Sequence, residues 1–204
     1  PIITNALFTN NSAAGGIIPN GASGNGGAIY NTGASSPSLT NVTIANNTGA
    51  NTLYSTGSGS TSINNSIVYG TISATYTQQF SLINGDYNET GTNYSVNNTF
   101  NDPTNGDYTL KNGSAAVNAG SNALFPNLDA NTKDLAGNTR VYNFANGGII
   151  DMGAYESSFV TIIPDANNTL YVDINVTGGN GSGDSWANAI PQLADAMKYA
   201  RQQY

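Results

Sequence analysis

A short segment recurs at a fixed spacing within the first 85 residues, and this recurrence limits the folds open to the chain. SLTNVTIAN (38–46) aligns with SINNSIVYG (62–70) at an offset of 24 residues, and Ile29 aligns with Leu53 at the same offset. An earlier copy, TNALFTNNSA (4–13), aligns with TNVTIANNTG (40–49) at an offset of 36 residues, which predicts a 12-residue insertion at GGIIPNGASGNG (15–26). Such a period is typical of a parallel β-solenoid, whose successive coils stack about 4.8 Å apart.

The repeat predicts which side chains face the interior, because aligned apolar positions alternate with polar ones. The predicted inward set is Leu7, Ile29, Leu39, Val42, Ile44, Leu53, Ile63 and either Ile67 or Val68. Asn5, Asn41 and Asn65 fall at equivalent turn positions of the copies. Because Asn tolerates the left-handed backbone region and stacked amides can hydrogen-bond, we predict a structural role for these three residues.

The composition agrees with a thin, repetitive all-β core. Asn, Gly, Ser and Thr account for 97 of the 204 residues, and 8% of the residues are charged. The net charge of −7, with five Lys and Arg in total, argues against nucleic-acid binding. No apolar run approaches the roughly 18 residues of a membrane span. Because the sequence lacks an initiator Met, we expect it to be a segment of a longer polypeptide.

The residue types present exclude most catalytic sites. The sequence has no His and no Cys, which removes Ser–His, Cys–His and His–metal chemistry. Carboxylate acid–base catalysis on a solenoid needs acidic or basic side chains on adjacent coils, and residues 1–85 contain no Asp, Glu, Lys or Arg. A site built from the loops at 86–107 alone has no further support, so we predict no catalytic residues and no enzyme.

Three stretches carry a family resemblance. DYTLKNGSAAVNAGSN (107–122), DLAGNTR (134–140) and GGIIDMGAYE (147–156) resemble the closing segment of choice-of-anchor Q modules, which end right-handed parallel β-helices (pectate-lyase-like) in large bacterial surface proteins. The first 85 residues resemble the coils of such a helix, and LYVDINVTGGNGSGDSWANAIPQLADAMKYA (170–200) resembles its N-terminal cap. The resemblance implies an all-β right-handed parallel β-helix and an extracellular, cell-surface location.

The predicted organisation follows the same order. Residues 1–156 form β-helix coils (1–85) and a closing segment (107–156) with strands at DYTL and at GGIIDMGAYE; 157–169 form a linker; 170–204 form a strand, a Gly-rich loop and an amphipathic capping helix. In the closing segment we expect Arg140 to pair with a carboxylate, either Asp151 or Glu156, and to fasten the segment.

The last part of the chain has a helical pattern and a candidate cap function. Ile190, Leu193, Met197 and Tyr204 form an apolar stripe, with Asn188 predicted as the N-cap and Pro191 in the first turn. Because an open β-helix end exposes apolar core and unpaired strand edges, we expect the Leu193/Met197 face to cover a coil. That coil belongs to this chain or to a neighbouring copy joined head to tail.

One loop approximates a calcium site. Asp173, Asn175, Thr177, Gly178 and Asp184 occupy the first, third, fifth, sixth and twelfth places of the pattern D-x-[DN]-x-[DN]-G-x5-E. The alternative is a turn held by Asn and Asp side chains without an ion. No other cofactor is predicted.

The aromatic side chains of the repeat have two interpretations. Tyr30, Tyr54, Tyr69, Tyr76 and Tyr87 either offer a surface on which sugars stack or pack against one another between coils.

We therefore predict a non-catalytic structural or adhesive segment of a repetitive extracellular bacterial protein, with neighbouring copies and surface glycans as partners. One alternative is a fragment of a polysaccharide lyase or glycosidase whose catalytic coils lie outside this sequence. Another is a glycan- or ice-binding solenoid, which needs a flat Thr-x-Thr face that only Thr40 with Thr43 approximates.

Overall fold

The computed structural model describes residues 1–15, 24–84, 86–87, 95–158, 160 and 162–203. The secondary structure is mostly sheet with few helices. Backbone contacts divide the chain into two compact units: Pro1–Val141 with Ile149–Ser157, and Tyr142–Gly148 with Ser158–Tyr204. None of the described helices has the length and apolarity needed to cross a lipid bilayer.

The first unit contains all of the described strands, one short α-helix and 3₁₀ turns at Pro103–Asn105 and Asn122–Leu124. In chain order the strands and the α-helix are β1 (Ile2–Thr9), β2 (Asn25–Thr32), β3 (Ser38–Ala45), β4 (Asn51–Thr56), β5 (Thr61–Asn64), β6 (Ile67–Val68), β7 (Ile72–Ser73), β8 (Tyr76–Gln79), β9 (Leu82–Ile83), β10 (Asp86–Tyr87), α1 (Val96–Thr99), β11 (Phe100–Asp102) and β12 (Asp107–Leu110).

The larger sheet is a curled, mostly parallel sheet. β1 pairs with β3, β3 with β5 and β6, β5 with β8, and β6 with β9; only β10 is antiparallel to its neighbour. The pairing offsets are 36 residues (Ile2 with Ser38), then 24 (Ser38 with Ser62), then 15 (Thr61 with Tyr76). The first two are the offsets of the sequence repeat. The third lies in the stretch after Ile72, where the sequence shows no period.

A second parallel sheet runs beside the first. β2 pairs with β4, with Ile29 opposite Leu53 and Tyr30 opposite Tyr54, and β4 pairs with β7. From β1 to β9 the chain passes back and forth between the two sheets, and it contributes β5 with β6 and β8 with β9 consecutively to the larger sheet. This topology is compatible with a β-solenoid.

The central strands of the larger sheet, β3, β6 and β9, are buried on both faces. One apolar cluster lies inside the curl and contains Leu39, Val42, Ile44, Leu53, Ile63, Val68 and Ile83. The other joins strand residues to the closing segment and contains Ala45, Ile67, Leu82, Phe100, Tyr108, Leu110, Ala116 and Met152. Seven predicted inward residues are fully buried, while Leu7 and Ile29 are partly buried. Both Ile67 and Val68 are buried, because the closing segment packs on the outer face.

The closing segment begins as predicted and ends differently. The strand predicted at DYTL is present as β12, which pairs antiparallel with β11. The prediction of a strand at GGIIDMGAYE is wrong, because residues 147–156 form no strand. The N–H groups of Met152 and Gly153 donate to the backbone carbonyls of Ala116 and Asn65, so neighbouring residues bond to different segments rather than to one partner strand.

The second unit contains 3₁₀ turns at Phe144–Asn146 and Trp186–Asn188 and one helix, α2 (Leu193–Gln203). The strand predicted at LYVDINV is reduced to a single bridge between Val172 and Ile190. Residues 142–148 belong to this unit and not to the closing segment, since the Asn143 side chain donates to the backbone carbonyl of Gly179 (2.7 Å).

Candidate functional site

The three repeat-derived asparagines form a ladder on the larger sheet. Asn5, Asn41 and Asn65, called here the asparagine ladder, have φ values of 50°, 53° and 46°. Each bends its strand at the left-handed conformation that Asn tolerates better than other side chains that carry a Cβ. The Asn65 side-chain amide donates to the side-chain carbonyl of Asn41 at 3.2 Å.

The closing segment is bound through the asparagine ladder. The Asn41 side-chain amide donates to the backbone carbonyls of Asp151 (2.8 Å) and Gly153 (3.2 Å). The Asn65 side chain donates to the Ser121 carbonyl and accepts from the Ser121 N–H. The Asn5 amide donates to the carbonyl of Lys133. The ladder therefore recognises backbone groups of the closing segment.

Gly153 allows this close approach. Its φ is +83°, and a Cβ at this position would lie 2.6 Å from Thr43 Oγ1 and 2.8 Å from Ile67 Cδ1. Thr43 Oγ1 also accepts the N–H of Ala154 at 3.0 Å. A larger residue than glycine would separate the closing segment from the sheet.

A buried group of charges lies at the end of the ladder. Arg140 forms an ion pair with Glu156 (3.3 Å), donates to the Asp151 backbone carbonyl (3.0 Å) and donates to the Asn5 side-chain carbonyl (3.3 Å). Arg140, Asp134, Asp151 and Glu156 are called here the closing cluster. All four side chains are buried.

The carboxylates of the closing cluster hold backbone turns. Asp151 accepts the N–H groups of Asn118 and Ser157, both at 2.6 Å. Asp134 accepts from the N–H of Asn138 (2.8 Å) and of Glu156 (2.9 Å). Burial raises the pKa of Asp151 to about 6, while the two N–H donors and the nearby Arg140 guanidinium oppose that rise. The same burial lowers the pKa of Arg140, and the surrounding carboxylates oppose that shift.

The closing cluster is chemically a fastening device. Its ionisable side chains are buried and contact main-chain N–H and carbonyl groups. The Arg140 guanidinium contacts Asn5 of the ladder and Glu156 of the closing segment, and so joins parts of the sequence more than 100 residues apart.

The two aspartates of the loop with the calcium-like spacing accept hydrogen bonds from nearby groups of the loop. Asp173 accepts the N–H of Asn175 (2.9 Å), and Asp184 accepts from Ser185 Oγ (3.0 Å) and from the Asn188 side chain (2.9 Å). These hydrogen bonds lower the pKa of Asp184. Thr177 is exposed. The described residues contain no group of three or more acidic, His or Cys side chains suited to a metal ion, and the hydrogen bonds of Asp173 and Asp184 favour the turn without an ion.

The helix face predicted to act as a cap is solvent-accessible. Leu193 is 61% exposed and Met197 is 48% exposed, whereas Ile190 and Ala196 are buried. Tyr204, the last residue of the predicted stripe, lies outside the described residues.

The helix start differs from the prediction. The prediction of Asn188 as the N-cap is wrong, because α2 begins at Leu193 and Asn188 ends the preceding 3₁₀ turn. There its N–H donates to Ser185 and its side chain donates to Asp184. Pro191 consequently lies before the first turn of the helix.

Other sequence-derived candidates are placed as follows. Thr40 and Thr43 are buried, so they do not form an exposed threonine face. Three candidate regions lie outside the described residues: the side chain of Tyr87, residues 16–23 of the insertion at 15–26, and residues 88–94 of the loop at 86–107.

Sequence reasoning missed two features of the first unit. Phe80 has a φ of 48° and follows β8 at the position that Asn65 holds after β5. The second feature is Asp134, which belongs to the closing cluster through its hydrogen bonds with the N–H groups of Asn138 and Glu156. The register of β8 against β5 would have identified Phe80, but the polar Gln78 opposite Ile63 conceals that register in the sequence.

No family model, curated protein or solved structure matches this chain.

Proposed function

We propose that this chain is a structural and adhesive segment of a repetitive extracellular bacterial surface protein and has no catalytic activity of its own. One observation carries the proposal. The curled parallel sheets are formed from residues 1–84, which contain no charged side chain, and the ionisable groups that lock them to the closing segment are buried. Such a body offers neutral Asn, Ser, Thr and Tyr side chains to its surroundings.

We further propose that the coils wind as a right-handed parallel β-helix, as the resemblance to choice-of-anchor Q modules implies. The support is general: connections between parallel strands of one sheet are right-handed in about 98% of cases. The alternation of the chain between two parallel sheets supplies those connections. A crystal structure with left-handed connections would contradict this part of the proposal.

Neighbouring copies are the proposed partners, joined head to tail. The exposed Leu193 and Met197 side chains of one copy would cover the strand edge at β1 of the next, where Ile2 is exposed. β1 pairs only with β3 among the described strands. Leu193→Glu with Met197→Glu is expected to abolish concentration-dependent association in sedimentation velocity, whereas Leu135→Glu, an exposed leucine of the first unit, leaves it intact.

The proposed function is tested by mechanical and chemical measurements on the same protein. Single-molecule pulling and limited proteolysis are expected to show a force-resistant, protease-resistant first unit. Incubation with a panel of polysaccharides is expected to yield no new reducing ends and no unsaturated products. Turnover of any polysaccharide would establish the enzyme alternative, and rapid proteolysis within the coils would contradict a load-bearing role.

A further inference from the structure

Two tyrosines lie side by side on the outward face of the smaller sheet. Tyr30 on β2 is directly opposite Tyr54 on β4. Their ring centroids are 5.3 Å apart and the ring planes are tilted by 39°. Tyr30 is 53% exposed, whereas Leu53, next to Tyr54 on β4, is fully buried. Because successive strand residues point to opposite faces, the two rings point away from the core.

Two threonines extend this surface. Thr32 and Thr56 lie two residues after the tyrosines on the same strands and are paired with each other. Both are exposed, and the alternation of strand side chains places them on the tyrosine face. Within the described part of the chain, the hydroxyl groups of these four residues make no side-chain hydrogen bond. They are therefore available to a ligand.

The lack of charged residues in the sheets favours an uncharged ligand. Residues 1–84 contain no Asp, Glu, Lys or Arg, so the face offers no counter-charge to an anion or a cation. A sugar chain matches what the face does offer, because its C–H faces pack on aromatic rings and its hydroxyl groups hydrogen-bond to other hydroxyl groups. A nucleic acid would require basic side chains.

We propose that Tyr30, Tyr54, Thr32 and Thr56 form a binding site for a neutral polysaccharide. The inference rests on the proposed adhesive function and names its ligand class. The paired rings present a continuous aromatic surface to adjacent sugar residues, and the threonines hydrogen-bond along its edge. The strand pairing behind the face holds the rings in place before the ligand arrives, which limits the entropy lost on binding.

The test compares neutral and anionic glycans on the intact chain. The probes are soluble cellulose and chitin oligosaccharides, a neutral mannan, and polygalacturonate as the anionic comparison, each titrated by calorimetry and by affinity electrophoresis. Tyr30→Ala with Tyr54→Ala is expected to lower the affinity for the bound neutral glycan at least tenfold. Tyr30→Phe, which keeps the ring and loses the hydroxyl, is expected to have a smaller effect.

The control is Tyr142→Ala, which removes a tyrosine of similar exposure (44%) from the second unit. It is expected to bind like the unmodified chain. Circular dichroism of each variant verifies that the fold is retained. Equal binding by the double variant, binding of polygalacturonate alone, or no binding of any neutral probe would each overturn the proposal.

The outcomes also separate this inference from the proposed function. A chain that resists force and protease but binds no neutral glycan contradicts the tyrosine site and leaves the structural role standing. A chain that binds glycans through the tyrosines and cleaves them contradicts the non-catalytic role and leaves the site standing.

Discussion

Asn65 donates its side-chain amide to the side-chain carbonyl of Asn41, and both residues hold the left-handed backbone conformation (φ 46° and 53°). Asparagine thus has two roles at equivalent positions of the repeat. It bends the strand without the full steric cost that other side chains incur, and its amide reaches the closing segment. Ten of the eleven described non-glycine residues with positive φ are asparagines.

Replacing Asn41 should separate these two contributions. Asn41→Gly keeps the backbone conformation, removes the described donor of the Gly153 carbonyl and leaves the Asp151 carbonyl with Arg140 as its donor. We therefore expect a loss of about 1–3 kcal/mol in the free energy of unfolding. Asn41→Ala adds the cost of a left-handed Ala, about 1–2 kcal/mol more. Chemical denaturation measures both. Asn127 is the control, because it is exposed, has a φ of 54° and makes no described side-chain hydrogen bond. Asn127→Gly should leave the free energy of unfolding nearly unchanged, and Asn127→Ala should lower it only by the cost of the left-handed backbone. Equal losses for the two Asn41 variants would contradict the backbone argument.

Phe80→Asn should stabilise the first unit. Phe80 is 38% exposed, has a φ of 48° and belongs to neither apolar cluster. A left-handed conformation costs a residue such as Phe about 1–2 kcal/mol, part of which Asn avoids. We expect a gain of about 1 kcal/mol in unfolding free energy. Gln79→Asn, on the adjacent exposed position with ordinary φ, is the control and should bring no gain. A loss of stability in Phe80→Asn would show that the ring packs against the chain.

Arg140→Met should be among the most damaging single changes. It leaves Glu156 buried without its cation, and breaking a buried pair in this way costs about 3–5 kcal/mol. Arg140→Met combined with Glu156→Gln should lose less than Arg140→Met alone, because the uncompensated charge is then absent. Urea unfolding of the single and double variants gives the coupling energy. Arg201→Met, an exposed arginine of α2, should change stability by less than about 0.5 kcal/mol. Additive effects of the two cluster changes would contradict the pairing.

The Asp151 carboxyl predicts a pH dependence of stability. Its folded-state pKa of about 6 lies above the ordinary value of 3.8, so the folded chain binds a proton between these pH values that the unfolded chain does not. Its contribution is fully present below about pH 3.8 and is lost as the pH rises through about 6. The loss reaches about 3 kcal/mol for a shift of this size.

The measurement is the unfolding free energy of the unmodified chain minus that of Asp151→Asn, from pH 4 to pH 7. The difference should fall as the pH rises, because the Asn variant cannot titrate at this position. The comparison removes the contributions of the other carboxyl groups. A difference that rises with pH would show that Arg140 and the Asn118 and Ser157 N–H groups hold Asp151 ionised.

Calcium should not stabilise the second unit. The carboxylates of Asp173 and Asp184 already accept hydrogen bonds from nearby groups of the loop. We therefore expect the same melting temperature with millimolar CaCl₂ and with EDTA, by scanning calorimetry. MgCl₂ at equal ionic strength is the control. A melting temperature that rises with CaCl₂ but not with MgCl₂, and does not rise in Asp173→Asn, would support the calcium site.

The sequence predicts the coils better than their closure. Leu39 with Ile63 and Ile29 with Leu53 could be paired from the repeat, because stacked strands demand the same side-chain type at each level. The next coil could not be predicted. Gln78 replaces an aliphatic residue and Phe80 replaces the asparagine there, so both signals vanish at once.

Local sequence patterns do not indicate which distant residues the closing segment contacts. The need of a buried guanidinium for a carboxylate predicts a partner for Arg140, and the structure pairs it with Glu156. Nothing near Arg140 in the sequence indicates its contact with Asn5, 135 residues away. For the same reason Ile67 and Val68 could not both be predicted as core residues, since the second face of the sheet is covered by a distant segment.

The distance in sequence between the asparagine ladder and its partners has a consequence for how the chain acquires its structure. The Asn41 side-chain amide donates to backbone carbonyl groups 110 and 112 residues later in the chain. Contacts of such high order slow folding, because a long loop must close before they contribute. During synthesis, the asparagine ladder therefore lacks these partners until the closing segment has emerged. We therefore expect the packing of the first unit to be completed in a late step of folding.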